Sequence, residues 1–401
     1  MSELSKEIKA LADTLTDELI ALRRDFHQHP ELSHQEERTA RVVAAYLKNL
    51  GLEVQSGIAG HGVAGTLRGA RPGRVVAFRA DMDALPISET VAVPWRSQVE
   101  GVMHACGHDF HLSLGLGAAR LLSQLKDRLG GVYRFIFQPA EEGPPQGDET
   151  GAKGMVAAGV LDQPPVEAII GLHVAPTLDV GHIRYGRDVV MAGSDLITIT
   201  VTGKAAHGAT PHRGLDPILV SAQALIQTRA FLSQEIDARH PVVLTFGRIA
   251  GGNRFNILAD QVTLEGSLRY LQDSVRQQVI TGLKRHLAGL ARATGANIDL
   301  THKTIYPILR NDPGLADQAV RILRSLLNPR HLQAHHPAMG SEDFSYFAAK
   351  VPAFYFFLGV RTPGTPGQAL HSPEFNPDEK ALPFGLKAVA GLLAALTQEK
   401  I

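Results

Sequence analysis

Four stretches of this chain read as strands covered on both faces: the near-continuous apolar run Val75-Val-Ala-Phe78, and the segments 132–137, 166–172 and 353–358. A strand with one wet face alternates apolar and polar residues, whereas a strand buried on both sides has no reason to. Shorter strands are expected at 52–55 and 63–67, and the run at Val75 sits in a strand over 74–79. Helical patterns stand around them. One runs over 3–26 and breaks at His29-Pro30, and another runs over 34–50 and stops at Gly51, the residue type favoured just past a helix end. Further helices are predicted at 109–125, 153–158, 314–327 and 380–396. Strands alternating with helices in this way predict an α/β layer with a mostly parallel sheet.

The pattern changes in the middle. Asp195-Leu-Ile-Thr-Ile-Thr-Val-Thr alternates as a half-exposed strand does. A helix over 217–232, strands over 242–249 and 261–269, a helix over 273–293 and a strand over 297–301 complete the order β-α-β-β-α-β, which is ferredoxin-like. The expected architecture is therefore a discontinuous α/β domain, 1–190 and 303–401, interrupted by a satellite domain over 191–302. There are no internal repeats and no low-complexity stretch.

Composition narrows the partners. With 401 residues the chain has room for two domains, and 44% hydrophobic against 20% charged residues suits a soluble globular protein. Forty basic residues balance forty acidic ones, so no net field draws in nucleic acid or an anionic membrane. The opening Met1-Ser-Glu-Leu-Ser-Lys-Glu lacks the apolar core of a signal peptide, and no apolar run approaches a bilayer-spanning length. A cytoplasmic protein is the expectation.

The candidate chemistry gathers at strand ends, where open α/β sheets place their ligands. Asp81-Met-Asp83 follows Phe78, Gln138-Pro-Ala-Glu141-Glu142-Gly follows Phe137, and Gly171-Leu-His173 follows Ile170. After Leu358 a Gly/Pro loop leads to Leu370-His371-Ser-Pro. Between the first two lies His104-Ala-Cys106-Gly-His108-Asp109-Phe-His111. Cys106 is the only cysteine, which rules out an internal disulfide and leaves an inert buried thiol, a nucleophile or a metal ligand. Asp81 and Asp83 read equally as turn residues after a strand. His27, His29, His104 and His111 suit helix caps or supporting hydrogen bonds better than direct ligation. Adjacent residues of an extended loop point apart, so one carboxylate of Glu141-Glu142 can bind a cation while the other moves a proton. Taken together, these donors favour a metal site.

The motifs resemble those of the di-metal N-acyl amino acid amidohydrolases: aminoacylases, hippurate hydrolases and plant indole-acetyl amino acid hydrolases. Asp25-Phe-His-Gln-His-Pro-Glu31, Phe78-Arg-Ala-Asp-Met-Asp-Ala-Leu-Pro86, His104-Ala-Cys-Gly-His-Asp109 and Gln138-Pro-Ala-Glu-Glu-Gly143 carry the resemblance. So do Gly203-Lys-Ala-Ala-His-Gly208, Asn253-Arg-Phe-Asn-Ile257 and Gly340-Ser-Glu-Asp-Phe344. It implies two divalent metal ions per subunit, zinc or manganese with cobalt and nickel as alternatives, held by Cys106, His108, Glu142, His173 and His371. It implies Glu141 as general base and Asp83 as a carboxylate orienting a ligand. In the wider superfamily the position of Asp81 is usually a histidine ligand. The aspartate here, with Cys106 taking the ligand duty, points away from dipeptidases and succinyl-diaminopimelate desuccinylases.

The reaction so implied is hydrolysis of an N-acyl amino acid, with Glu141 taking and later delivering the proton. His207 resembles the family histidine that supplies an oxyanion donor from the partner subunit of a homodimer. Asn256 and Arg269 resemble the groups that read the substrate's backbone and carboxylate. The longer loop Gly143–Gly151 is a departure from the family pattern and a candidate wall of the substrate pocket. Two rivals stand beside this reading. A Cys106–His108 thiol hydrolase would survive chelation and die on alkylation, and a binding protein on a decayed scaffold would turn over no N-acyl amino acid.

Overall fold

The computed structural model describes residues 3–143 and 150–398, so most of the Gly143–Gly151 loop lies outside the described residues. The chain divides into two compact units. One comprises Met1–Val190, Arg310–His336 and Asp343–Ile401, and the other Met191–Leu309 with Pro337–Glu342.

The first unit is built on an eight-stranded sheet. Its order is Glu53–Ile58, Gly62–Arg68, Gly130–Gln138, Arg71–Asp81, Ala168–Asp179, Ala353–Arg361, Ile183–Tyr185 and Leu332–Ala334. The four central strands are mutually parallel and contain the apolar runs seen in the sequence. Val76, Phe78, Phe135, Phe137, Ile170, Phe354 and Phe356 are buried in its core. Toward one edge, Gly62–Arg68 and Glu53–Ile58 pair antiparallel, as does Ile183–Tyr185 on the other side. The two three-residue strands escape sequence reading because they are shorter than one readable period of alternation.

Helices cover this sheet. His108–Leu125 is buried along nearly its whole length, as its small and apolar residues require. The expected first helix is two, Glu3–Thr14 and Thr16–Gln28, meeting at Leu15. Glu37–Asn49 starts later than its pattern suggests, because the Glu31 carboxylate reaches forward to accept from the Arg38 and Thr39 amides at 2.9 and 2.7 Å. Among the described residues no helix is long and apolar enough to cross a membrane.

The second unit is a four-stranded antiparallel sheet with two helices. Its strands lie in the order Asn297–Tyr306, Gly193–Thr202, Gln261–Tyr270 and Val242–Gly251. Numbered along the chain that is 4-1-3-2, the ferredoxin-like arrangement. Alternate residues Ile197, Ile199 and Val201, with Val262, Leu264 and Leu268, are buried, while the intervening ones are not. Asp216 caps the helix Pro217–Glu235 by accepting from the Ile218 amide at 2.9 Å, and proline follows at the first helical position where its missing N–H costs nothing. The second helix, Asp273–Thr294, comes close enough that a Cβ on Gly282 would lie 2.1 Å from the Phe231 ring.

Candidate metal centre

Cys106 and His108 flank Gly107, which precedes the helix His108–Leu125 with φ +87°. A side chain there would be strained by that φ and would bring its Cβ to 2.5 Å from Val174 Cγ2. Glycine thus lets the turn press against the strand that carries His173. The His173 Nδ1 donates to the Val174 carbonyl at 2.8 Å, which directs Nε2 to within 3.2 Å of Cys106 Sγ. His371 arrives from the other end of the chain. Its amide donates to the Ala105 carbonyl at 2.9 Å and its φ is +60°, unusual for a residue with a Cβ. So placed, its Nε2 lies 3.3 Å from Cys106 Sγ and 3.1 Å from Glu142 Oε1.

His108 is turned by Asp83. Its Nδ1 bonds the Asp83 carbonyl at 2.8 Å and the Asp83 carboxylate at 3.1 Å. Nε2 is left buried with no hydrogen-bond partner, 3.9 Å from Glu141 Oε2. Donor atoms of Cys106, His108 and His173 all lie within 4.8 Å of one another, as do those of Cys106, Glu142 and His371, and those of His108, Glu141 and Glu142. The thiol is common to two of these groups.

The electrostatics call for a cation. Burial, with Glu142 and then Glu141 beside it, pushes the Cys106 thiol well above its ordinary range. Burial alone would lower the His108 imidazole, yet Asp81 and Asp83 outweigh it and push it up to about 10. The His108 shift reports surplus negative charge, and the two glutamates add to the burial that raises the thiol. An orphaned imidazole nitrogen, a thiol and carboxylates around one point fit a divalent ion such as zinc. The same surroundings oppose a cysteine nucleophile, which needs positive neighbours to stabilise its thiolate.

Asp83 does more than turn His108. Its Oδ2 accepts from Ser33 Oγ at 2.7 Å and from the Glu142 amide at 3.0 Å. Asp81 falls within reach of His108 and His111 as a possible donor group, but its oxygens are engaged elsewhere. It pairs with Arg79 Nη1 at 2.5 Å and accepts from His111 Nδ1 at 2.5 Å, while His111 Nε2 accepts from the Val174 amide at 3.1 Å. Both nitrogens of His111 are thus spent on structure. His27 bonds Asp109 at 2.7 Å and Glu89 at 3.3 Å, and His29 bonds the Asp25 carbonyl at 2.8 Å. His104 differs from the expectation: both ring nitrogens are buried without a hydrogen-bond partner, and burial lowers its pKa to about 4.

In the second unit the loop bearing His207 lies against the loop bearing Asn256, the Gly208 amide donating to the Asn256 carbonyl at 2.8 Å. His207 Nδ1 accepts from the Ala209 amide at 3.1 Å. Both His207 and Asn256 are exposed. Arg269 is half-buried, fixed by Ser267 Oγ at 2.9 Å and Ser341 Oγ at 2.5 Å. Ser341 was legible only as part of Gly340-Ser-Glu-Asp-Phe344, with no role attached. Arg79, which ties Asp81 to Asp343 and Gln138, had no signal beyond its place in the Asp81 motif.

Residues 77–395 match the model of Peptidase family M20/M25/M40. Thermostable carboxypeptidase 2 of Saccharolobus solfataricus is 37% identical over 394 residues, covering 97% of this chain and 98% of its own. N-acetylcysteine deacetylase of Bacillus subtilis is 36% identical over 365 residues, covering 91% and 93%. The crystal structure of the Bacillus subtilis YXEP protein, described as a dinuclear metal binding peptidase from the M20 family, superposes with a TM-score of 0.82 at 34% identity, covering 96% of this chain and 99% of that one. With most of the chain matched, and with relatives of this identity along nearly its whole length, the chain belongs to peptidase family M20/M25/M40 and is a hydrolase.

Proposed function

We propose that the protein hydrolyses the amide bond of N-acyl amino acids, releasing a carboxylic acid and a free amino acid. The observation that carries this reading is the division of the Glu141-Glu142 pair. Both carboxylates share a donor group with His108, but of the two only Glu142 also shares one with Cys106 and His371, while Glu141 lies buried beside His108 Nε2. Cys106, His108, Glu142, His173 and His371 would hold two divalent ions, zinc or manganese, and Asp83 would fix the tautomer of His108. When bound, such ions supply Lewis-acid charge that acidifies water and polarises the amide carbonyl. Glu141 takes the proton from the attacking water and passes it to the leaving nitrogen as the C–N bond breaks.

The substrate's free carboxylate is read by Arg269, whose fork Ser267 and Ser341 hold in place, and by Asn256. The names of the relatives agree with this demand, since a carboxypeptidase and an N-acyl amino acid deacetylase both release an amino acid with a free carboxylate.

His207 donates to the developing oxyanion from the partner subunit of a cytoplasmic homodimer. An apolar surface on the second unit supports the dimer. Leu219 and Ile226 on the helix Pro217–Glu235 are 59% and 70% exposed, and Val243 and Ile249 are exposed on the edge strand Val242–Gly251. A two-fold pairing of such edges is self-complementary and closed.

The test is a panel of N-acetyl, N-benzoyl and N-indoleacetyl amino acids with zinc, manganese or cobalt, each beside its carboxamide. Turnover should vanish on chelation and return with metal. Masking the carboxylate should lower kcat/KM by about 10–10²-fold, the worth of a hydrogen bond to a charged group. Equal rates on acids and carboxamides, or chelator-resistant turnover, would refute the reading.

A further inference from the structure

Ala140, immediately before Glu141, has φ +49°, a left-handed conformation that a residue with a Cβ adopts only when its surroundings enforce it. Two contacts enforce it. The Ala140 carbonyl accepts from the Gly151 amide at 3.0 Å, and the Ala140 amide donates to Glu36 Oε1 at 2.8 Å. Two residues on, the Glu142 amide is held by Asp83. Glu141 therefore lies between two amides, each pinned by a buried carboxyl oxygen.

Glu36 is an unexpected residue for this task. It occupies the N-cap of the helix Glu37–Asn49, where a carboxylate ordinarily accepts from its own helix's amides, yet it makes no such bond. Glu31 serves those amides instead. Glu36 is fully buried, and its second oxygen has no hydrogen-bond partner. Burial, and then the negative charge of Asp83, push its carboxyl up to about 8. Helix capping does not explain a carboxylate in this place, because the cap is provided for. What it does contact is the turn that sets the direction of Glu141.

We propose that Glu36 is a positioning residue for Glu141: by pinning the Ala140 amide it holds the left-handed turn that aims Glu141 apart from Glu142. The inference rests on the reading of Glu141 as the general base.

Three substitutions test it in the zinc-loaded enzyme. Glu36→Met keeps the length and removes the acceptor, Glu36→Gln keeps an acceptor oxygen, and Glu36→Asp withdraws the carboxylate by one methylene. Glu36→Met should lower kcat by about 10²-fold, the scale of a small misplacement of a reacting group, with KM and bound zinc per chain unchanged. Glu36→Gln should stay within about threefold of the parent, and Glu36→Asp should fall between the two. Combined with Glu141→Gln, Glu36→Met should add no further loss, because the group it positions is already gone. Wild-type kcat in Glu36→Met, losses that multiply with Glu141→Gln, or equal damage in Glu36→Gln would overturn the proposal. Should Glu36→Met not fold, Glu36→Asp decides the matter by the same measurements. Calorimetric affinity for acetohydroxamate gives a readout apart from turnover, because that acid gives up a proton on binding and a well-aimed carboxylate that takes it tightens the complex. Glu36→Met should weaken it as Glu141→Gln does. Parental affinity in Glu36→Met would overturn the positioning role. Absence of turnover on every N-acyl amino acid would instead sink the proposed function, with the hydroxamate result still deciding on Glu36.

Discussion

The two units hold their candidate residues in opposite ways. In the first, Asp83, Cys106, His108 and Glu141 are buried and of the candidate ligands only His371 is exposed; Asp83, Cys106 and His108 are each met by a named side chain within 3.2 Å. In the second, His207 and Asn256 stand exposed on loops joined by two backbone bonds, Gly208 to Asn256 and Leu258 to Ala206, and only Arg269 is braced by side chains. The interior of the first unit prepares its groups before any ligand arrives, which is what electrostatic catalysis requires. The loops of the second are where the proposed substrate or second copy of the chain would sit.

If that contrast is right, damage to the buried group should be severe and local. The largest effect is expected for Cys106→Ala. Removing the atom common to two donor groups should abolish metal binding and turnover together, and serine, being neutral and hard, should rescue little. Elemental analysis after dialysis, beside an activity assay, checks this, and full metal content with normal turnover would break the ligand assignment. Next in size comes Glu141→Gln, which should keep its metal and bind substrate while losing roughly 10²-fold or more in kcat. Glu142→Gln should instead lose metal. Exchanged phenotypes would mean that the base and the ligand have been taken in the wrong order.

The smallest effect sharpens the other half of the contrast. Inactive Glu141→Gln chains mixed with inactive His207→Ala chains should form heterodimers with one complete site. Activity should return to about half the wild-type value per heterodimer, as independent sites in a closed two-fold dimer require. Heterodimers shown to be present but inactive would place His207 in its own subunit's site, or outside catalysis.

Much of the fold was legible because it rests on local signals. The apolar runs became the central parallel strands, and the helices expected over 217–232 and 314–327 begin at Pro217 and Pro313, each after a capping aspartate. The break at Leu15 was not legible, since apolar periodicity continues through it. The donor residues were readable as types in loops, but the shared position of the thiol depends on Gly107 and on the backbone of His371, which only the tertiary structure sets. Glu36 was hidden for a different reason. Within Gln35-Glu-Glu-Arg38 it looks like one charge on a wet helix end, and its partner is the turn at Ala140, more than a hundred residues later. His104 had the opposite fault: its sequence setting suggested hydrogen bonds that its burial denies it.

The order in which the ribosome delivers these pieces has a consequence of its own. Cys106, His108, Glu142 and His173 precede the second unit in the chain, whereas His371 and the strand Ala353–Arg361 beside the His173 strand follow it. At ordinary synthesis rates the last histidine emerges on the order of ten seconds or more after His173. During that interval the four early donors belong to a sheet still missing one of its central strands. The stretch Met191–Leu309, which pairs all four of its own strands, can close in the meantime. The nascent chain is therefore expected to finish its insert before its host, and a truncation that spares every residue before 350 should leave a folded second unit attached to an unfinished first one.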